Sequence, residues 1–287
     1  MENKKEPIVP LLLALSGYII WGFMPLYLKQ LQGVSPWVIT ANRVLWTLPW
    51  AAGFALLIHG RNSFRIPKKT LMMLLMSALF IGTNWTIYAW CVVNGRIMET
   101  ALGYFINPLM NVAVGVLFFK ERINRTKLFA LVLAASGVIY QTIAANHLPF
   151  LGLLLAALFV GYSIIRKQAI VPPATGLFWE SCLLFPIAVI GLFALSNIGV
   201  AIAGANAKEN MLLLLAGPIT AVPLILFAFG ARALKLMTLG MLQYIAPSIV
   251  LIISIYYGED FDLHKMITFG LIWAGLAIYT WSEFKGK

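Results

Sequence analysis

Charge is what this sequence has least of. Only 11% of its 287 residues are Asp, Glu, Lys or Arg, while 61% are hydrophobic and the mean hydropathy is +0.88. A soluble domain carries about 25% charged residues, so composition excludes an ordinary soluble fold. It points to an all-α chain that crosses a bilayer many times. Acidic residues are the scarcest charges, ten against 21 basic ones, for a net charge of +11. That balance does not read as nucleic-acid binding, because the basic residues fall in short clusters between apolar runs, as they do in membrane loops.

Cysteine and histidine are nearly absent. Cys91 and Cys182 both sit in apolar segments, which excludes a disulfide framework. His59, His147 and His264 lie near segment ends, and no His, Cys, Asp or Glu cluster has metal-ligand spacing. There is no G-x-x-x-x-G-K-[ST] loop, so ATP does not drive the protein directly. H-E-x-x-H, G-x-S-x-G and paired aspartates are missing from the apolar segments, which argues against an intramembrane enzyme. No ring of like charges or repeated filter sequence supports a channel. No cofactor is expected. The polar N-terminus lacks a small-residue cleavage signal, so the apolar stretch after it is read as a retained helix.

What is present is a series of long apolar runs. A bilayer core about 30 Å thick takes roughly 20 residues per helix. Ten runs qualify: 8–28, 36–58, 70–91, 98–118, 127–144, 150–165, 174–195, 211–230, 237–257 and 265–282. With the N-terminus in the cytoplasm, 16 of the 21 basic residues fall in inside regions, Arg166 and Lys167 among them. Only Lys29, Arg96, Lys208 and Lys265 fall outside. The positive-inside rule then puts both termini in the cytoplasm.

Sliding the chain on itself by about 138 residues brings weak matches into a consistent order. "TALGYFINPL" falls near "TLGMLQYIAPSI", "FFKE" meets "YYGE", and "SGVIY" meets "AGLAI". Arg43 and Pro49 fall on Glu180 and Pro186. The expected organisation is two five-helix repeats, 1–144 and 145–287, forming one unit. Five is odd, so the second repeat is inverted, an arrangement that places a transport site between the halves near the midplane.

A charge in mid-membrane costs at least about 2.5–3.5 kcal/mol and usually marks function or a partner. Arg43 and Glu180 qualify, at equivalent positions of the two repeats. Three readings stand side by side: the pair bridges each other structurally, Arg43 takes an anionic group of a substrate while Glu180 takes an ammonium or a coupling proton, or each supports other residues independently. Polar stripes join them. Thr100, Tyr104, Asn107 and Asn111 are spaced for one helix face, Asn84 and Tyr88 share another beside Trp85, and Gln243 lines up with Gly240 and Pro247 beside Tyr244. Each stripe fits helix–helix hydrogen bonding equally well. Pro49, Pro108, Pro186 and Pro247 lie within the runs at repeat-related places and are candidate hinges. Glu121 and Glu259 sit at helix ends and are read as caps or interfacial ion pairs, and Trp37, Trp50 and Trp281 as an aromatic belt.

These features resemble a known family. "LGYFINPL" followed by "KER", "YIAP" followed by "YGED", "YIIWG", "NRVLW", "GTNW" and "TGLFWES" together look like the RarD branch of the EamA-type permeases, in the drug/metabolite transporter superfamily. The resemblance covers nearly the whole chain. It implies a bacterial inner-membrane permease with inverted five-helix repeats and a central cavity, and Arg43, Asn84, Trp85, Tyr104, Asn107 and Glu180 match its motifs. It implies no particular substrate. The expected function is secondary transport of a small polar metabolite, such as an amino acid, by alternating access; drug or amphiphile efflux is the alternative. Partners are then a small molecule, the lipid bilayer and, if Glu180 carries one, a coupling proton. A monomer is expected, since one chain supplies both repeats.

Overall fold

The computed structural model describes residues 7–93, 97–121, 123–144, 150–256 and 262–285, leaving aside the side chains of 92, 93, 97–103, 254 and 283–285. The Thr100 side chain and Glu259 therefore lie outside the described residues. Those described form helices and no strand: α1 (Ile8–Gly22), α2 (Met24–Lys29), α3 (Pro36–His59), α4 (Lys68–Val93), α5 (Ile97–Leu117), α6 (Arg125–Ala144), α7 (Phe150–Gln168), α8 (Pro173–Asn197), α9 (Ala207–Ala233), α10 (Leu236–Gln243), α11 (Ile245–Tyr256) and α12 (Leu263–Lys285). A single 3-10 turn, Arg61–Phe64, follows α3.

Among the described residues, eight helical stretches are long and apolar enough to cross a membrane, and Tyr104–Leu117 is a shorter apolar one. Helix α3 has the length but not the hydropathy, because it carries Thr40, Asn42, Arg43 and Thr47, all buried. Exposure is inverted relative to a soluble protein. Leu57, Phe118, Ile143, Ile190 and Phe193 point outward, while Arg43, Glu180 and Arg166 are enclosed. Only a hydrocarbon surround rewards that pattern.

Two apolar runs are broken. The first splits at Phe23, whose amide reaches back to Ile20 O in a tight final turn, and Pro25 follows as the second residue of α2. The ninth splits at Tyr244, three residues before Pro247. Proline lacks the amide that would continue the ladder, so each break falls one to four residues upstream of one. Pro49, Pro108 and Pro186 lie inside unbroken helices. The sixth run ends later than hydropathy suggests: α7 continues to Gln168 and takes Arg166 into the bundle instead of leaving it in a loop.

Helix ends are satisfied locally. Glu121 accepts from the amides of Leu236 and Met237 at 2.8 and 3.0 Å, capping α10 from the segment after α5. Asn206 accepts from Glu209 N, and Glu209 accepts from Ala205 N, a reciprocal box at the start of α9. Between helices, α3 packs on α8 and α9, α5 on α7 and α10, α1 on α9 and α11, α4 on α7 and α8, and α6 on α12. The α6–α12 seam is closed by Gly137 and Gly275. A Cβ there would come within 2.9 Å of Thr268 O and 2.6 Å of Ala130 O respectively, so the helices meet backbone to side.

Candidate functional site

Helices α1, α2, α3, α4, α5, α7, α10 and α11 surround a cavity whose charged lining residue, among those described, is Arg43. It comprises about 70 Å³ open to the centres of water molecules. The two helix breaks sit on its edge. Met24 follows the first, and Ala246, Pro247 and Val250 follow the second.

Arg43 is 4% exposed. Its Nε donates to Thr220 Oγ1 of α9 at 3.0 Å, and its guanidinium carbon lies 4.4 Å over the Trp85 ring. These contacts hold the plane of the group while Nη1 and Nη2 meet no acceptor among the described residues. Four strong donors are thus presented in a fork suited to a carboxylate or phosphate. Tyr18, fully buried on the same cavity, also has a hydroxyl without a partner.

The polar stripes divide between lining and scaffold. Asn84, Trp85, Tyr88, Tyr104 and Gln243 line the cavity. Asn84 Nδ2 is spent on Leu155 O at 2.9 Å, tying α4 to α7. The Tyr88 and Tyr104 rings meet edge to face at 5.6 Å. Asn111 donates to Gln243 Oε1 at 3.1 Å, which orients that amide from behind. Asn107 and Tyr244 do not reach the cavity lining. Asn107 is buried with an unpartnered Oδ1, and the Tyr244 hydroxyl donates to Phe105 O across the α5–α10 contact. Gly240 lets those helices touch: a Cβ there would stand 2.6 Å from Pro108 O.

Glu180 is elsewhere. It is 1% exposed, accepts from Ser77 Oγ at 2.5 Å, and faces Arg166 at 3.6 Å between Nη1 and Oε1. It neither pairs with Arg43 nor lines the cavity. The reason lies in the α7–α8 hairpin, which turns through Pro172 and Pro173 and lays the last turn of α7 against the first two turns of α8. Arg166 Nη2 is anchored on Pro173 O at 2.9 Å, and Gly176 leaves the space the guanidinium fills, since a Cβ there would overlap it. The positive-inside count put Arg166 in a loop and so missed its burial. A helix running three residues past the apolar stretch was the signal available. Thr220, Ser77 and the aromatic lining residues Tyr18, Trp21 and Phe159 were also missed, being ordinary in a membrane helix.

A larger apolar groove of about 630 Å³, bordered by the exposed Trp37, Leu79 and Ile187, lies on the other face of α4, against α3 and α8. Thr40, Thr83 and Thr86 are among its lining, and it holds no charged side chain.

A bundle of apolar helices around a buried cationic cavity defines the class: a multi-pass membrane protein with an enclosed polar site. Comparison makes the class specific. Residues 8–142 match the EamA-like transporter family. The chain is 40% identical to "Uncharacterized transporter YojE" of Bacillus subtilis over 94% of its own length and 93% of that protein's. It is 38% identical to "Protein RarD" of Escherichia coli K12 over 96% and 95%. The chain belongs to the EamA-like transporter family. Its fold is shared with a solved crystal structure at TM-score 0.75 and 16% identity, covering 96% of this chain and 98% of that one.

Proposed function

We propose that this chain is a secondary transporter, exporting or exchanging a small polar metabolite by alternating access, with an anionic group of the substrate bound by Arg43. The observation that carries this reading is the Arg43 guanidinium, held in plane by Thr220 and Trp85 with its outer donors free in a cavity. A buried cation costs too much to be kept without a partner, and a transient ligand is such a partner.

Ten spans in two inverted repeats, 1–144 and 145–287, are supported by how the helices pair. Replace each span by the one five further on, taking α1–α2 and α10–α11 as single spans. The α1–α9 contact then becomes α7–α4, α5–α7 becomes the contact of α10–α11 with α1, and α3–α9 becomes α8–α4. The α3–α8 and α6–α12 seams map onto themselves, Gly137 exchanging with Gly275. With the termini in the cytoplasm, the cavity leans to the outer half of the bundle. The inner end is plugged by Arg166, Glu180 and Ser77, together with Lys167 on Leu234 O. Switching access requires that plug to part. Glu180 Oε2 and Arg166 Nε and Nη1 lack hydrogen-bond partners, so the closed form is not saturated. Pro49, Pro108, Pro186 and Pro247 are the proposed bending points, and Glu180 the proposed seat of a coupling proton. Drug or amphiphile efflux is a second reading, favoured by the apolar groove between α3, α4 and α8.

The test is counterflow in proteoliposomes: vesicles preloaded with unlabelled metabolite should accumulate its labelled form transiently. Arg43→Gln should abolish accumulation while the protein stays folded. Linear, non-saturable flux in the wild type would refute a carrier.

A further inference from the structure

Resting on the proposal that the Arg43 cavity is the transport site, we infer that its substrate is an organic monoanion with a planar aromatic body and no ammonium group. A zwitterionic amino acid needs two anchors of opposite sign. Glu180, the one buried carboxylate among the described residues, is turned away toward Arg166 and Ser77. Among the described residues no carboxylate lines the cavity. An ammonium placed there would face Arg43 across a poorly screened space, and the Trp85 face that could take a cation is already covered by Arg43 itself. The anion subsite, by contrast, is built. Arg43, the charged lining residue, presents Nη1 and Nη2 to it.

The walls set the rest of the molecule. Trp21 stands edge-on to Phe159 at 5.7 Å, and Tyr88 edge-on to Tyr104 at 5.6 Å, so ring faces and edges border the space. Such surfaces favour a flat apolar group over a hydrated polyol.

Four probes separate these elements: 3-phenylpropionate, phenylalanine, phenethylamine and propionate. The first three share a skeleton and differ in charge, and the last keeps the anion without the ring. Binding to the full chain in nanodiscs is read by tryptophan fluorescence, since Trp21 and Trp85 border the cavity, and by thermal unfolding. We expect 3-phenylpropionate to bind at least tenfold more tightly than each of the others, Arg43→Gln to weaken it at least tenfold, and Arg43→Lys to lose less. Phenylalanine binding as well as 3-phenylpropionate overturns the charge assignment, and propionate doing so overturns the aromatic one. Silence from all four overturns the substrate class, while counterflow still judges the transport reading. If Arg43→Gln elutes as a folded monodisperse species and binds every ligand as the wild type does, the cavity is not the site and the transport reading falls with it. Should that variant not fold, Arg43→Lys and the wild-type ranking decide.

Discussion

Removing Glu180 alone should cost far more than removing Glu180 and Arg166 together. Both side chains are buried, Arg166 at 1% and Glu180 at 2% side-chain exposure. Glu180→Ala strands the Arg166 charge with only Pro173 O as an acceptor and leaves Ser77 without its partner. Breaking a buried pair from one side costs about 3–5 kcal/mol. The pair itself is loosely made. Its 3.6 Å contact is longer than the 2.7–2.9 Å typical of a charge-assisted hydrogen bond, and three of its polar atoms have no partner. Replacing both members with apolar residues of similar volume, Arg166→Met with Glu180→Leu, should therefore change stability by under about 1 kcal/mol. Unfolding in a mixed-micelle denaturant titration would measure both, with Ser77→Ala as a third corner expected to lose about 1.5–3 kcal/mol. If Glu180→Ala and the double variant are equally destabilised, the ion pair is not the partner that sustains Glu180 in the bundle, and the proposed inner plug falls.

Three further outcomes follow from single contacts. Thr220→Val removes the acceptor of Arg43 Nε; anion affinity by fluorescence titration should fall about tenfold, the equivalent of 1.4 kcal/mol, within the range for a hydrogen bond to a charged group. Gly176→Ala forces the Arg166 guanidinium from its place, and an overpacking cost of about 1–3 kcal/mol should appear as a lowered Tm. Glu121→Gln keeps one acceptor for the α10 amides but loses the charge at the helix N-terminus; thermal unfolding should register about 0.5–2 kcal/mol.

The residues that sequence reading singled out were chosen by cost. A charge among apolar neighbours or an amide on a regular helical stripe is expensive in hydrocarbon wherever it points, so Arg43, Glu180, Asn84, Tyr88, Tyr104 and Gln243 were legible without coordinates. The direction in which each is satisfied was not. Arg43 and Thr220 are 177 residues apart, and Glu180 and Ser77 103. Asn84 and Asn111 could equally have faced a ligand or a neighbouring helix, and in the event they tie α4 to α7 and α5 to α10, Asn111 through the cavity-lining Gln243. Arg166 escaped notice because hydropathy ends a span where apolar residues stop, whereas the helix stops only when its hydrogen bonds do. The division at Phe23 was likewise hidden, since a proline marks where a helix can break and not whether its neighbours let it run on, as Pro49 and Pro186 do.

By itself the sequence determined that the chain lives in a membrane, where its apolar runs lie and which few charges those runs must bury. These follow from composition and from the price of polarity in a low-dielectric solvent, both local properties. Only tertiary structure decided that Glu180 closes against Arg166 while Arg43 is left facing a cavity. That choice depends on which helices lie side by side and where small residues such as Gly176 and Gly240 let them approach, and neither is encoded within any one span.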